Sequence, residues 1–92
     1  MHIAVVGLSH RTAPVEIRER LSIPEQSMEA SLQLLKADDQ VLEASILSTC
    51  NRLEIYTLLR NPEQGIASIG SFLSQHSGLA VDQLVPHLFT FH

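Results

Sequence analysis

Val41-Leu42-Glu43-Ala44-Ser45-Ile46-Leu47-Ser48 and Leu53-Glu54-Ile55-Tyr56-Thr57-Leu58-Leu59 flank the polar link Thr49-Cys50-Asn51-Arg52. In the second run Leu53, Ile55, Thr57 and Leu59 alternate with Glu54, Tyr56 and Leu58, the period-two pattern of a strand with one buried face. A polar link this short joins adjacent antiparallel strands, so the segment is predicted to be a β-hairpin with Cys50 at its turn. Asn51 tolerates a positive φ, which gives it a structural reading in such a turn.

Upstream, Met1 to Leu8 is short, apolar and β-branched before Gly7, as a buried strand would be. The polar loop Ser9-His10-Arg11-Thr12-Ala13-Pro14 follows, and Thr12 with Pro14 predicts the start of a short helix carrying Ile17 and Leu21. Ser22 and Glu25 have capping-box spacing, with Pro24 in the first turn of a second helix. Its Met28, Leu32 and Leu35 share one face, and it is expected to end near Lys36 to Asp38. Downstream of the hairpin, Pro62 opens a helix with Ile66, Ile69 and Leu73 on one stripe, and Gly78 is placed to end it in the left-handed conformation. Asp82 to Val85 predicts a helical turn, and Leu88-Phe89-Thr90-Phe91 a last strand.

The order β-α-β-β-α-β predicts an α+β fold of the ferredoxin-like kind, a four-stranded antiparallel sheet with helices on one face. A right-handed crossover makes the first two strands parallel, so their C-terminal ends lie at the same edge of the sheet. The loop after the first strand and the turn after the second both leave from that edge. His10, Arg11, Thr12 and Cys50 are therefore expected to share a surface.

Ninety-two residues with 45% hydrophobic content make one domain with one core. A single cysteine forms no internal disulfide, and the five histidines show no paired Cys/His spacing, so no metal is expected. The N-terminus runs straight into Ile3-Ala4-Val5-Val6 without a basic segment before it, and no stretch approaches the length of a membrane span. A cytoplasmic location without membrane contact is the expectation. The net charge of −4 lacks the basic footprint of nonspecific nucleic-acid binding, so any RNA contact must be local.

Burying Ser48, Thr49, Asn51 and Arg52 together with Cys50 would be costly, because each polar group needs a partner inside. The thiol is thus expected at the surface, and a cation beside a thiol favours the thiolate, the form that attacks carbonyls. Arg52 reads either as a solvated charge or as a planar fork that holds a substrate carboxylate by two parallel hydrogen bonds. Thr49 either satisfies the turn backbone or adds a hydrogen bond to the same substrate. His10 suggests a base near the thiol, although capping and surface roles fit its spacing as well. Val5-Val6-Gly7-Leu8-Ser9 resembles the start of a dinucleotide-binding strand, but the glycines stand at 7, 65, 70 and 78, and the three-glycine fingerprint is absent. His76, His87 and His92 read as surface or strand residues, and Phe89 and Phe91 as core or interface residues.

Two blocks carry a resemblance. Gly7-Leu8-Ser9-His10-Arg11-Thr12-Ala13-Pro14-Val15, with Arg18-Glu19-Arg20 behind it, and Leu47-Ser48-Thr49-Cys50-Asn51-Arg52-Leu53-Glu54-Ile55-Tyr56 resemble the N-terminus of the glutamyl-tRNA reductases. That family reduces the glutamate of glutamyl-tRNA to glutamate-1-semialdehyde with NADPH, at the start of tetrapyrrole (porphyrin) synthesis. The resemblance implies that Cys50 is the nucleophile and forms a glutamyl thioester, that Thr49, Cys50, Asn51 and Arg52 contact the substrate, and that Arg52 holds the glutamyl side-chain carboxylate. Ser9, His10, Arg11 and Thr12 fall in a family signature and are candidates for shaping the site. It further implies that residues 1–92 are the N-terminal part of a catalytic domain, and that the NADPH-binding and dimerisation domains lie beyond His92. On this reading a catalytic histidine and a serine segment of the glutamate pocket also lie downstream, and the fragment alone is inactive as a reductase. A homodimer and glutamate-1-semialdehyde aminomutase are the implied partners.

Two readings from other classes compete with this one. A ferredoxin-like binding module with an incidental cysteine explains size and fold, but not the polar cluster around the thiol. A thiol hydrolase would use His10 as base and water as the acyl acceptor.

Overall fold

The computed structural model describes residues Met1–His92. Strand β1 (His2–Ser9) is followed by helices α1 (Val15–Leu21) and α2 (Glu25–Lys36), the hairpin β2 (Val41–Ser48) and β3 (Arg52–Leu59), helix α3 (Pro62–Ser77), the single turn α4 (Val81–Leu84) running into a 3₁₀ turn at Val85–His87, and β4 (Phe89–Phe91). The four strands form one sheet in the order β2-β3-β1-β4, and all three pairings are antiparallel. This is the expected ferredoxin-like arrangement.

Period-two patterning builds the sheet. Leu53, Ile55, Thr57 and Leu59 of β3 are buried, as are Ala4, Val6 and Leu8 of β1. The helices lie over this face and contribute Leu21, Leu35, Ile69, Leu73 and Leu84 to the same core. Each such aliphatic side chain stabilises the fold by about 1.5–3 kcal/mol when removed from water. Thr57 is buried without penalty, because its hydroxyl donates to the Ala4 carbonyl at 3.1 Å. Helix α3 starts and stops as its sequence dictates. Asn61 Oδ1 accepts from the Gln64 N–H at 3.0 Å, Pro62 occupies the first turn, and Gly78 ends the helix at φ 76°.

Other local signals were overridden. Thr12 does not start α1; it accepts from the Ser9 N–H at 2.9 Å and donates to the Ser9 carbonyl at 3.3 Å, closing the loop, while Pro14 takes the N-cap position. The Ser22–Glu25 capping box does not form either. Ser22 instead ends α1 with its N–H on the Arg18 carbonyl, and Pro24 becomes the N-cap of α2 at φ −67° without a side-chain acceptor. Burial of Ile23, 3% exposed, sets the path of the chain through this junction, and its N–H is satisfied by Ser48 Oγ at 3.0 Å. Tertiary packing thereby outweighs the cap, an effect worth about 1 kcal/mol.

The register places the site. Ser9 pairs with Arg52 and Leu8 with Leu53, while Ser48 faces Leu53 from the other side. The C-terminal ends of β1 and β2 therefore meet at one edge of the sheet, with β3 beginning between them.

Candidate active site at the Cys50 turn

Thr49 closes the hairpin, its N–H on the Arg52 carbonyl at 2.8 Å and its Oγ1 accepting from the N–H groups of Asn51 and Arg52 at 3.2 Å each. No non-glycine residue has a positive φ, so the structural reading of Asn51 as a left-handed turn residue is corrected. The Thr49 hydroxyl accepts the bonds that a main-chain carbonyl would otherwise take, and the turn needs no left-handed residue. Cys50 stands exposed at the tip.

The loop after β1 reaches this turn as the topology predicts. The His10 N–H donates to the Asn51 carbonyl at 2.9 Å, which seats the Ser9–Thr12 loop against the cysteine turn. Within the loop the hydroxyls of Ser9 and Thr12 are committed to backbone, Ser9 Oγ accepting from the Arg11 N–H at 3.2 Å. His10 and Arg11 are exposed and hold no partner through their side chains. Ser9 and Thr12 thus shape the edge, whereas His10 and Arg11 line it.

Two guanidinium groups flank the turn. Arg52 opens β3, and its side chain runs along the face of the sheet that the helices leave uncovered, with Nη1 3.6 Å from Glu54 Oε2. The Glu54 side chain is only 14% exposed, and its other oxygen accepts from the Tyr56 hydroxyl at 2.7 Å. A residue spacing of two on a strand puts all three on one face, a signal present in the sequence that the motif reading passed over. Glu54 holds Arg52 by one edge, and the half-exposed guanidinium retains donors for a ligand carboxylate. On the other side, Arg18 of α1 donates from Nε to the Ala13 carbonyl at 3.2 Å and from Nη1 to the Cys50 carbonyl at 3.1 Å. Its contact spans 32 residues of sequence, which no local pattern reveals.

The hydrogen bond to Glu54 is the main cause that holds the Tyr56 phenol above its ordinary range, followed by burial and the Glu54 charge, while Arg52 opposes them. With the folded value raised, the bond's contribution is present below the ordinary tyrosine pKa of about 10 and is lost as pH rises through the folded one. Tyr56 is the chain's one tyrosine and tryptophan is absent, so tyrosinate absorbance reads this group alone. Its titration midpoint is expected above that of free tyrosine, and Glu54→Gln is expected to lower it; equal midpoints in the two proteins would show that the pair does not persist in solution.

Residues 6–92 match the glutamyl-tRNAGlu reductase N-terminal domain. The chain belongs to that family. It is 77% identical over its whole length to the glutamyl-tRNA reductase of Prochlorococcus marinus (strain MIT 9303), and 76% identical to that of Synechococcus sp. (strain CC9902). In both cases the chain spans 21% of the relative's length, so it is similar to the N-terminal fifth of a glutamyl-tRNA reductase. The Cys50 turn, the Ser9–Thr12 loop and the Arg52–Glu54–Tyr56 row all lie inside the matched residues. No helix of this domain is long and apolar enough to cross a membrane.

Proposed function

We propose that this domain supplies the nucleophile and part of the glutamate pocket of an NADPH-dependent glutamyl-tRNA reductase, acting at the start of tetrapyrrole synthesis. The observation that carries the reading is the exposed Cys50 thiol at a turn that also presents Arg52. The Cys50 thiolate adds to the ester carbonyl of glutamyl-tRNA, and collapse of the adduct breaks the ester C–O bond. The tRNA leaves as its terminal hydroxyl after taking up a proton, and the glutamyl group remains on sulfur as a thioester. Arg52 is the partner of the glutamyl side-chain carboxylate, and Glu54 limits the rotation of its guanidinium. Thr49 still has its hydroxyl proton to donate to the same substrate, since Oγ1 acts only as an acceptor in the turn.

The dinucleotide binds elsewhere on this reading. Gly7, the one glycine near the end of β1, uses its missing side chain for packing. A Cβ there would stand 2.5 Å from the Leu53 carbonyl oxygen and 2.8 Å from the Phe89 ring. That geometry is strand packing and not a phosphate cradle, so the residues present do not fit NADPH, and the reduction belongs to parts of the protein outside these 92 residues. A homodimer, contact with glutamate-1-semialdehyde aminomutase and a cytoplasmic location are parts of the same proposal for the longer protein. The hydrolase reading lacks support, because the His10 ring has no hydrogen bond and the one bond from His10 to the cysteine turn comes from its backbone N–H.

Cys50 acylation tests the proposal in the full-length enzyme. Arg52→Ala is expected to slow acylation by glutamyl-tRNA roughly 10- to 100-fold, the worth of a charge-assisted hydrogen bond. Acylation by a neutral aminoacyl ester is expected to change little. Equal rates for the two substrates in the unaltered enzyme would remove the carboxylate role.

A further inference from the structure

The two arginines beside Cys50 stand on different sides of the turn. Arg52 lies on the uncovered sheet face, and Arg18 lies on α1, which packs on the opposite, helical side. Between α1 and the turn is a hollow of about 320 Å³ lined by Val15, Arg18, Glu19, Ser22 and Cys50. Its size falls within the range of about 300–1,000 Å³ that small ligands occupy. The hollow offers a set of complementary groups. Arg18 spends Nε and Nη1 on backbone carbonyls and forms no ion pair, which leaves Nη2 to donate. Glu19 and Ser22 are exposed there, and Val15, 47% exposed, adds an apolar wall.

An ester has two ends, and a nucleophile that attacks its carbonyl carbon lies between them. If the glutamyl side chain extends from Cys50 to Arg52, the alcohol half must leave the carbonyl in another direction. We infer that the hollow between α1 and the Cys50 turn receives this half, the 3′-terminal nucleoside of the tRNA. Arg18 donates to a ribose or phosphate oxygen, Glu19 accepts from a ribose hydroxyl or a base amine, and Val15 meets the base. This inference rests on the proposed acyl transfer to Cys50 and adds the binding site of the leaving group. It also meets the charge problem of an acidic domain that engages RNA. Arg11, Arg18, Arg20 and Arg52 are four of the six Lys and Arg residues, and all four belong to the loop, the helix and the hairpin that form this edge. The net charge of −4 then matters little, because only the terminal nucleotide need approach.

The test compares two acyl donors on the full-length enzyme: glutamyl-tRNA and a small aryl ester of glutamate that lacks a nucleotide. Arg18→Gln is expected to raise the half-saturating concentration of glutamyl-tRNA at least about tenfold, as for loss of a charge-assisted hydrogen bond. The rate with the aryl ester is expected to fall several-fold less, because the variant loses the bond to the Cys50 carbonyl while Thr49 still holds the turn, and the residual rate shows that the variant folds and keeps its thiol. Arg18→Lys is expected to recover part of the loss. Equal slowing with both esters would mean that Arg18 only holds the cysteine turn, and it would overturn the nucleoside site, as would no change with either ester. Failure of the underlying acyl transfer shows itself separately, as absence of a thioester in the unaltered enzyme with both donors, and that result overturns both ideas.

Discussion

Cys50→Ala in the full-length protein is expected to lower the rate of glutamyl-tRNA reduction by more than about a thousandfold, since on the proposed mechanism it removes the covalent nucleophile and with it the pathway itself. No glutamyl adduct should then be detected on the N-terminal domain by mass spectrometry. The substitution isolates chemistry from folding. The turn is held by Thr49 Oγ1, by the Thr49–Arg52 backbone pair and by Arg18 on the Cys50 carbonyl, and none of these uses the thiol. Because Cys50 is exposed, stability should stay within about 0.5 kcal/mol of the unaltered protein. Cys50→Ser keeps a hydroxyl in place of the thiol and should be nearly as impaired, for a neutral hydroxyl is a far weaker nucleophile than a thiolate. Activity within tenfold of normal in the alanine variant would falsify the covalent mechanism.

Gly7→Val is expected to cost about 3 kcal/mol, at the upper end of what overpacking a well-packed site costs. The side chain would meet the Leu53 carbonyl oxygen, a backbone atom within the β1–β3 ladder, and the Phe89 ring on the opposite strand. The carbonyl oxygen cannot give way without distorting the ladder. For a domain of this size the melting temperature should fall by roughly 4–8 °C for each kcal/mol. Gly7→Ala should show the same effect in smaller degree. Gly7 also pairs across the sheet with Glu54, so the damage reaches the row that steadies Arg52. A melting temperature unchanged in both variants would mean that a side chain at position 7 has more room than the 2.5 Å to the Leu53 carbonyl oxygen allows.

Much of the fold was legible because its signals are periodic or punctual. Leu53, Ile55, Thr57 and Leu59 alternate in the sequence and are all buried, and Pro62 and Gly78 bound α3 as read. The misreadings share a cause. Thr12, Ser22 and Asn51 each have a local role available, and each gave it up where a neighbour offered a better one. Thr12 closes on Ser9, Ser22 follows a chain path set by buried Ile23, and Asn51 is relieved of a left-handed conformation by the Thr49 hydroxyl. Such choices differ by about 1 kcal/mol, which is small beside the burial of the core.

For the candidate site the division is similar. The sequence by itself determined that Cys50 lies at an exposed polar turn, that Arg52 stands beside it, and that the Ser9–Thr12 loop reaches the same edge, since strand order and crossover handedness follow from the order of elements. Only the tertiary structure decided which second cation reaches the turn and how both are held. Glu54 and Tyr56 steady Arg52 on the uncovered face, and Arg18 crosses 32 residues of sequence to the Cys50 carbonyl on the helical side. Periodicity assigns a residue to a face of its own element, but the distance between two elements depends on how the whole core packs, and that packing sets the contacts of Arg18.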